Sequence, residues 1–86
     1  MRSWFVYLLC CADNSLYCGI TTDMDRRLTQ HNAGTASKYT RVRRPVSLAA
    51  LTQVEDKSAA LKLEIQVKKQ SRSNKVAFLL AAPQPR

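Results

Sequence analysis

The sequence predicts a small α/β domain of the α+β type, a three-stranded antiparallel sheet flanked by two to three helices in the order ββαβαα. Three observations predict this class. The chain has 86 residues, which leaves room for one small hydrophobic core. Two short apolar segments near the N terminus are separated by turn residues, as in a β-hairpin. In the rest of the chain, apolar residues recur mainly at the spacing of an α-helix, and one further strand-like segment lies at 46–54.

The first predicted strand is the apolar run Trp4–Cys10. This run is continuous, aromatic and β-branched rather than alternating, so we expect a strand that is covered on both faces near the middle of the sheet. The run extends to Ala12 and spans nine residues, whereas a membrane-spanning helix needs about 20. We therefore expect no membrane span in this part of the chain.

The register of the hairpin decides whether its two tyrosines, Tyr7 and Tyr17, can act together. A two-residue loop would place them on opposite faces, because side chains alternate along a strand. A three-residue loop over 12–14 would let Asn14 adopt the left-handed conformation and would place Tyr7 opposite Gly19, with both tyrosines on one face. We expect the three-residue loop, because the glycine would then leave space beside Tyr7.

The first predicted helix begins near Thr22, which starts a Thr-x-x-acid sequence resembling a capping box, and ends at Gly34. Arg27 and His31 are separated by four positions, so they are neighbours on the face directed toward the sheet. Arg26 points toward water at helical spacing. The helix therefore predicts one arginine and one histidine above the hairpin.

The segment that follows, 35–45, has no hydrophobic period and is predicted to be a loop. It is rich in cations and contains one aromatic residue, so it is either a solvated charge cluster without a target or a surface that contacts a nucleic-acid backbone and a base. The residues concerned are Lys38, Tyr39, Arg41, Arg43 and Arg44. The third strand is predicted at 46–54.

A second helix is predicted from Lys57 to about Lys69, capped by Asp56. Its broad apolar face is expected to comprise Ala60, Leu61, Leu63, Ile65 and Val67. Glu64 falls at the centre of this face, which is an unexpected place for a carboxylate, since desolvating an unpaired charge costs several kcal/mol.

A short third helix is predicted from Asn74 to about Ala81, with a serine at 71 or 73 at its start. Its expected core residues are Val76, Phe78, Leu79 and Leu80. The whole chain is predicted to form one domain over 1–82, followed by a flexible tail at 83–86.

Charge and cysteine content indicate the partner and the compartment. Lysine and arginine number 14 against 6 acidic residues, which gives a net charge of +8. This excess favours a polyanionic partner, nucleic acid before an anionic membrane surface. The three cysteines are an odd number and lack zinc spacing, so we expect buried thiols in a cytoplasmic protein.

The ordered motifs resemble those of the GIY-YIG nuclease superfamily, and most closely its small stand-alone bacterial members. The first motif is Val6-Tyr7-Leu8 and the second is Tyr17-Cys18-Gly19, in which the tyrosines and the glycine are kept. Arg27 follows ten residues after the second tyrosine, His31 four residues later, and Glu64 lies beyond the third strand. The likeness covers about residues 4–80.

The resemblance implies a metal-dependent endonuclease that hydrolyses phosphodiester bonds in DNA. Glu64 would hold Mg²⁺ or Mn²⁺, and Arg27 would clamp the scissile phosphate. Tyr7, Tyr17 or His31 would act on the attacking water, and the sequence leaves open which of them is the general base. Asn74 is the candidate for a later asparagine that many members carry.

Other interpretations stay open at this stage. Hairpin tyrosines are commonly core residues, and Glu64 could simply pair with Lys68 four positions along its helix. A basic module that binds nucleic acid without cutting it is the main alternative to an enzyme. The expected DNA forms are branched, nicked or single-stranded, and RNA is a further alternative.

Overall fold

The central strand of the sheet is β1 (Trp4–Cys10), which pairs antiparallel with β2 (Leu16–Thr21) and with β3 (Ser47–Val54). The strand order is β2-β1-β3, so the continuous apolar run occupies the middle, as predicted. The computed structural model describes residues 3–82. The predicted tail at 83–86 lies outside the described residues. The antiparallel sheet with flanking helices confirms the predicted α+β class.

The hairpin has the predicted register. The N–H of Cys11 donates to the carbonyl of Ser15 at 2.9 Å, which closes a three-residue loop. Asn14 adopts a left-handed conformation with φ of 66°, and Tyr7 lies opposite Gly19. Both hairpin tyrosines therefore lie on one face of the sheet.

Helices cover both faces of the sheet. On the tyrosine face lie α1 (Met24–Ala33) and α2 (Lys38–Arg41). On the opposite face lie α3 (Lys57–Lys68) and α4 (Arg72–Leu80). The core of this second face consists of Val6, Leu8, Cys18, Ala50, Val54, Ala60, Val67 and Leu79. Among residues 3–82 no helix has the length and apolar character needed to span a membrane.

Helix α4 begins at Arg72, two residues before the predicted Asn74, and its N-cap Ser71 makes no side-chain capping hydrogen bond. The boundaries of α1 and α3 follow their capping residues, with one correction. The N-cap of α1 is Asp23, whose carboxylate accepts the N–H of Arg26 at 3.1 Å, so the prediction of a cap at Thr22 was wrong by one residue. Both types can cap, and Asp23 is the one with extended backbone next to the helix. Gly34 ends α1 in the left-handed conformation, and Asp56 caps α3, both as predicted.

The short helix α2 lies in the segment that was predicted to be a loop, and it brings the number of helices within residues 3–82 to four. Ser37 caps it, because its side chain accepts the N–H of Thr40 at 3.1 Å. The helix has four residues, which is too short to show a helical period in the sequence. Thr40 is its buried residue.

The predicted apolar face of α3 was too broad. Ala60 and Val67 are buried and face the sheet, whereas Leu61 and Ile65 are 42% and 53% exposed. Ala60 and Val67 are seven residues apart and define a narrow buried stripe. Leu61 follows Ala60 by one position, so its side chain is rotated by about 100° around the helix axis, away from the sheet. On α4, Leu80 is likewise exposed and was wrongly assigned to the core.

The three cysteines are free thiols. Cys11 and Cys18 are buried, as expected of small apolar side chains, and Cys10 is half-buried.

Candidate active site

Two tyrosines form the floor of the site. The ring centroids of Tyr7 and Tyr17 are 6.4 Å apart. Tyr7 is buried and Tyr17 is half-buried. A Cβ atom built on Gly19 would lie 2.5 Å from Cζ of Tyr7, closer than any real contact. The glycine therefore provides the space that the Tyr7 ring occupies.

Replacing Gly19 with alanine is expected to destabilise the fold by about 1–3 kcal/mol, because the added methyl group displaces a buried ring. Alanine in a strand ordinarily stabilises a protein relative to glycine. A lower unfolding free energy for Gly19→Ala would therefore reflect the crowding of Tyr7. Urea unfolding of the two proteins measures it. A variant that is more stable than the wild type would contradict the close packing of Gly19 on Tyr7.

His31 lies between the two tyrosines and α2. Its Nε2 is 2.8 Å from the Tyr7 hydroxyl, and its Nδ1 is 2.7 Å from Oγ1 of Thr40. The imidazole contacts the rings of Tyr7 and Tyr17 edge-on, at centroid distances of 5.7 and 5.2 Å. The imidazole is thus held on both nitrogens.

Burial keeps the side chains of Tyr7 and His31 neutral. It raises the pKa of Tyr7, as does the neighbouring Tyr17, and the charge of Arg27 acts in the opposite direction. Burial lowers the pKa of His31, and the charge of Arg27 lowers it further. At neutral pH the site therefore holds a phenol and an uncharged imidazole.

The unfolding free energy is expected to fall as pH decreases from about 7 to 5, by at most about 1.4 kcal/mol per pH unit. Below about 6.5 the unfolded chain protonates His31, whereas the folded protein, in which the pKa is lowered, does not. Asp13, whose pKa is held low by hydrogen bonds from Ser15 and then Arg43, titrates below this range.

The chain has one histidine, so His31→Gln provides the control. Urea unfolding of this variant should show a flatter pH dependence between about pH 7 and 5 than the wild type. Equal slopes for the two proteins would contradict a buried, neutral His31.

Arg27 brings a positive charge to the site. It extends from α1, and its charge acts on both Tyr7 and His31. Its Nε is buried and has no hydrogen-bond partner among residues 3–82. Arg26, its neighbour in the chain, is exposed, as the helical spacing predicted. An unpaired buried donor is costly, and an anionic ligand would satisfy it.

Glu64 lies on a helix that packs on the other face of the sheet. It belongs to α3, which packs on the face of the sheet opposite the tyrosines and next to the edge strand β2. Its charge nevertheless raises the pKa of Tyr7 as well as that of Cys18, which burial and then Glu64 raise to about 12. Tyr7 and Cys18 lie on opposite faces of the sheet, and the charge of Glu64 affects the pKa of each.

Glu64 forms an ion pair with Nζ of Lys68 at 3.6 Å, and its side chain is 18% exposed. In residues 3–82 no group of three or more histidine, cysteine or acidic side chains could enclose a metal ion. A single carboxylate still fits Mg²⁺, which usually keeps several waters and binds through one or two carboxylates plus substrate phosphate.

The cation-rich segment 35–45, called the basic segment from here on, borders the site. The ring of Tyr39 stacks on Tyr17 with centroids 5.8 Å apart, and the guanidinium of Arg43 lies 3.8 Å from the centroid of Tyr39. Arg43 also pairs with Asp13 of the hairpin loop at 3.0 Å. Lys38 and Arg41, the first and last residues of α2, are exposed.

Three further residues complete the description. Arg44 donates to the backbone carbonyls of Arg41 and Asn32, so it also holds the segment onto α1. Asn74 is exposed in the first turn of α4 and takes no part in the hydrogen bonds of the tyrosine cluster. Thr40 was not predicted as a site residue. Its place between Tyr39 and Arg41 was the available signal.

The family model of the GIY-YIG catalytic domain matches residues 3–77. The chain belongs to the GIY-YIG family. This confirms the resemblance that the motifs indicated, and it places the protein in a nuclease family whose substrates are nucleic acids.

Curated relatives of similar size carry the name UPF0213 protein. A relative from Cupriavidus pinatubonensis is 45% identical over 98% of this chain and 93% of its own length. Another from Listeria monocytogenes strain F2365 is 50% identical over 88% of this chain and 85% of its own length. These names state no activity.

Two solution NMR structures are similar to this GIY-YIG domain. A UPF0213 protein from Bacillus halodurans matches with 40% identity and a TM-score of 0.56, covering 96% of this chain and 88% of that chain. A protein from E. faecalis matches with 38% identity and a TM-score of 0.66, covering 100% and 96% respectively.

Proposed function

We propose that this GIY-YIG protein is a metal-dependent endonuclease that hydrolyses phosphodiester bonds in DNA. The observation that carries the proposal is the cluster of Tyr7, Tyr17 and His31 beside a cation, Arg27, whose buried Nε lacks a partner among residues 3–82. A structural cluster has no use for an unpaired guanidinium donor, whereas a phosphodiester site does.

Arg27 clamps the scissile phosphate in this mechanism. Its guanidinium is planar and always charged, and it donates hydrogen bonds in the fork geometry that phosphate oxygens accept. Charge that develops on the phosphate in the transition state strengthens these bonds. The unpaired Nε is then satisfied by substrate.

Tyr17 orients the attacking water and, acting as the phenolate, accepts its proton and becomes the neutral phenol. The Tyr7 hydroxyl is engaged by His31, whereas the structure gives the half-buried Tyr17 no hydrogen bond to residues 3–82. A general base must lie within hydrogen-bond reach of the proton that it removes. Of the two phenols, Tyr17 is the one with a free hydroxyl.

Glu64 would hold Mg²⁺ or Mn²⁺ together with water and phosphate oxygens. When bound, the ion supplies charge stabilisation for the leaving oxygen. The side chain is accessible enough to take such a ligand, and its ion pair with the exposed Lys68 is weak enough to be displaced.

The basic segment would hold the nucleic-acid backbone. Lys38 and Arg41 are exposed, and the ring of Tyr39 carries the Arg43 guanidinium and stacks on Tyr17. Backbone contacts carry little sequence information, and their strength falls with salt. We therefore propose structure-selective or nonspecific binding to branched, nicked or single-stranded DNA.

The chain has three tyrosines, and replacing each with phenylalanine tests the roles of their hydroxyls. Tyr17→Phe is expected to reduce the cleavage rate about 100-fold or more. Tyr7→Phe is expected to lower stability by about 1 kcal/mol, through loss of its buried hydrogen bond, and to reduce cleavage less. Tyr39→Phe, which keeps its stacked ring, serves as the control and should cleave normally.

The measurement is the initial cleavage rate on a branched DNA with Mg²⁺, beside urea unfolding of each variant. A Tyr17→Phe protein that cleaves at the wild-type rate would contradict the assignment. A larger loss in Tyr7→Phe would transfer the role of base to Tyr7.

One observation favours a second candidate function, a basic nucleic-acid-binding module that does not cut. Glu64 already has an ion-pair partner in Lys68, as a purely structural carboxylate would. A structural cluster would also bury Tyr17, however, and that ring stays half-buried. Fluorescence anisotropy with labelled DNA distinguishes the two functions, since salt-sensitive binding without cleavage in Mg²⁺ or Mn²⁺ supports the binding module.

A further inference from the structure

We infer that Thr40 is a positioning residue that fixes His31 as the tautomer protonated on Nδ1 and thereby directs the Tyr7 proton onto Nε2. Thr40 touches no reacting group in the proposed mechanism. It acts through His31 on Tyr7, and its consequence for cleavage rests on the proposed nuclease function. The tautomer itself does not depend on that function.

Thr40 is fully buried in α2 and is held from several directions. Its Oγ1 lies 2.7 Å from Nδ1 of His31, 3.1 Å from Oγ of Ser37 and 3.5 Å from the carbonyl oxygen of Ser37. Its own N–H donates to Oγ of Ser37, which caps the helix. The cap of this single turn therefore fixes the hydroxyl that faces the imidazole.

Counting donors selects the tautomer. If Nδ1 carries the proton, Tyr7 donates to Nε2, Nδ1 donates to Thr40, and Thr40 donates to Ser37, so the protons of Tyr7, His31 and Thr40 all have acceptors. If Nε2 carried the proton, it would donate to the Tyr7 oxygen, and the Tyr7 proton would have no acceptor among residues 3–82. Buried donors without acceptors are disfavoured.

The arrangement divides the two tyrosines by function. Because the Nδ1 proton of His31 is donated to Thr40, Nε2 is unprotonated and accepts the hydroxyl proton of Tyr7. Tyr17 keeps a hydroxyl with no partner in the described chain and is left for water. The residue that produces this division belongs to the short helix and is separate from the catalytic set.

Nuclear magnetic resonance tests the tautomer directly, because the chain has one histidine. Long-range proton–nitrogen correlation of uniformly ¹⁵N-labelled protein, recorded at a pH where the imidazole is neutral, distinguishes a protonated ring nitrogen from an unprotonated one. The wild type is expected to show a protonated Nδ1 and an unprotonated Nε2. A wild-type spectrum with Nε2 protonated would overturn the inference.

Substitutions supply the second arm of the test. Thr40→Val removes the acceptor, so the form protonated on Nε2 should become populated, whereas Thr40→Ser should retain the wild-type spectrum. Thr52→Val is the matched control, because Thr52 is equally buried, lies on the opposite face and donates to the carbonyl of Leu79 at 2.8 Å. A Thr40→Val spectrum identical to the wild type, or an equal change in Thr52→Val, would contradict the inference.

Cleavage supplies a separate readout. Thr40→Val is expected to cut about 10-fold more slowly, while Thr40→Ser restores the rate. If the wild type does not cleave DNA, the proposed function fails and the nitrogen spectra still decide the tautomer. If Thr40→Val changes the tautomer but cleaves normally, Thr40 orients His31 without serving catalysis, and the positioning role is refuted.

Discussion

Replacing Glu64 with glutamine is expected to reduce Mg²⁺-dependent cleavage by more than about 100-fold, because a bound ion contributes several kcal/mol of charge stabilisation in the transition state. Glutamine keeps the shape of the side chain and removes the charge that attracts the cation. The fold should change little, since the lost pair with exposed Lys68 is worth about 0.3–0.5 kcal/mol.

The matched control is Glu55→Gln, which removes an exposed carboxylate just before α3. Both variants are compared with the wild type by cleavage rate over a Mg²⁺ titration and by urea unfolding. Cleavage by Glu64→Gln at the wild-type rate would show that this carboxylate does not serve a metal. A large loss of stability without loss of activity would assign it a structural role.

Replacing Arg27 with methionine is expected to reduce cleavage about 100- to 1,000-fold, the usual cost of removing a donor that stabilises transition-state charge. Stability should stay the same or increase, because the substitution removes a buried Nε that has no partner among residues 3–82. Loss of activity together with retained or higher stability is the behaviour expected of a residue kept for its ligand.

Two controls accompany this variant. Arg26→Met removes a neighbouring exposed cation and should lower DNA affinity only slightly. Arg27→Lys keeps the charge and loses the planar fork, so it should recover little of the rate. Activity in Arg27→Met equal to that of Arg26→Met would contradict the role of Arg27 as phosphate clamp.

Local chemistry explains why the hairpin could be predicted from the sequence. The turn residues and the left-handed Asn14 determine loop length, and loop length determines which face each tyrosine occupies. Gly19 then has one role, to make room for Tyr7. The positions of Arg27 and His31 above the sheet follow from helical spacing in the same way.

What the sequence did not predict depends on tertiary packing. Helix α2 is too short to produce a period, so the contact of Thr40 with His31 could not be inferred. The exposure of Leu61 and Ile65 depends on which stripe of α3 rests on the sheet, and an apolar face of five residues does not specify that stripe. The helical wheel also placed Glu64 on an apolar face without showing that this helix covers the side opposite the tyrosines.

The separation of these residues between two layers is the feature on which the candidate site depends. His31 reaches Tyr7 directly from α1, and the charge of Arg27 on the same helix acts on Tyr7. Glu64 lies on α3, which packs on the other side of the sheet beside the edge strand β2. Substrate phosphate and metal would therefore meet at this edge of the sheet, where β2 is the outermost strand within residues 3–82.

The most direct test of the central claim is cleavage of labelled nicked, branched, single-stranded and duplex DNA by the purified protein, with Mg²⁺ or Mn²⁺ and with a chelator. The wild type is run beside Glu64→Ala and Arg27→Ala. We predict cleavage by the wild type that requires the metal ion and is lost in both variants. Cleavage that persists in both variants would contradict the assigned site.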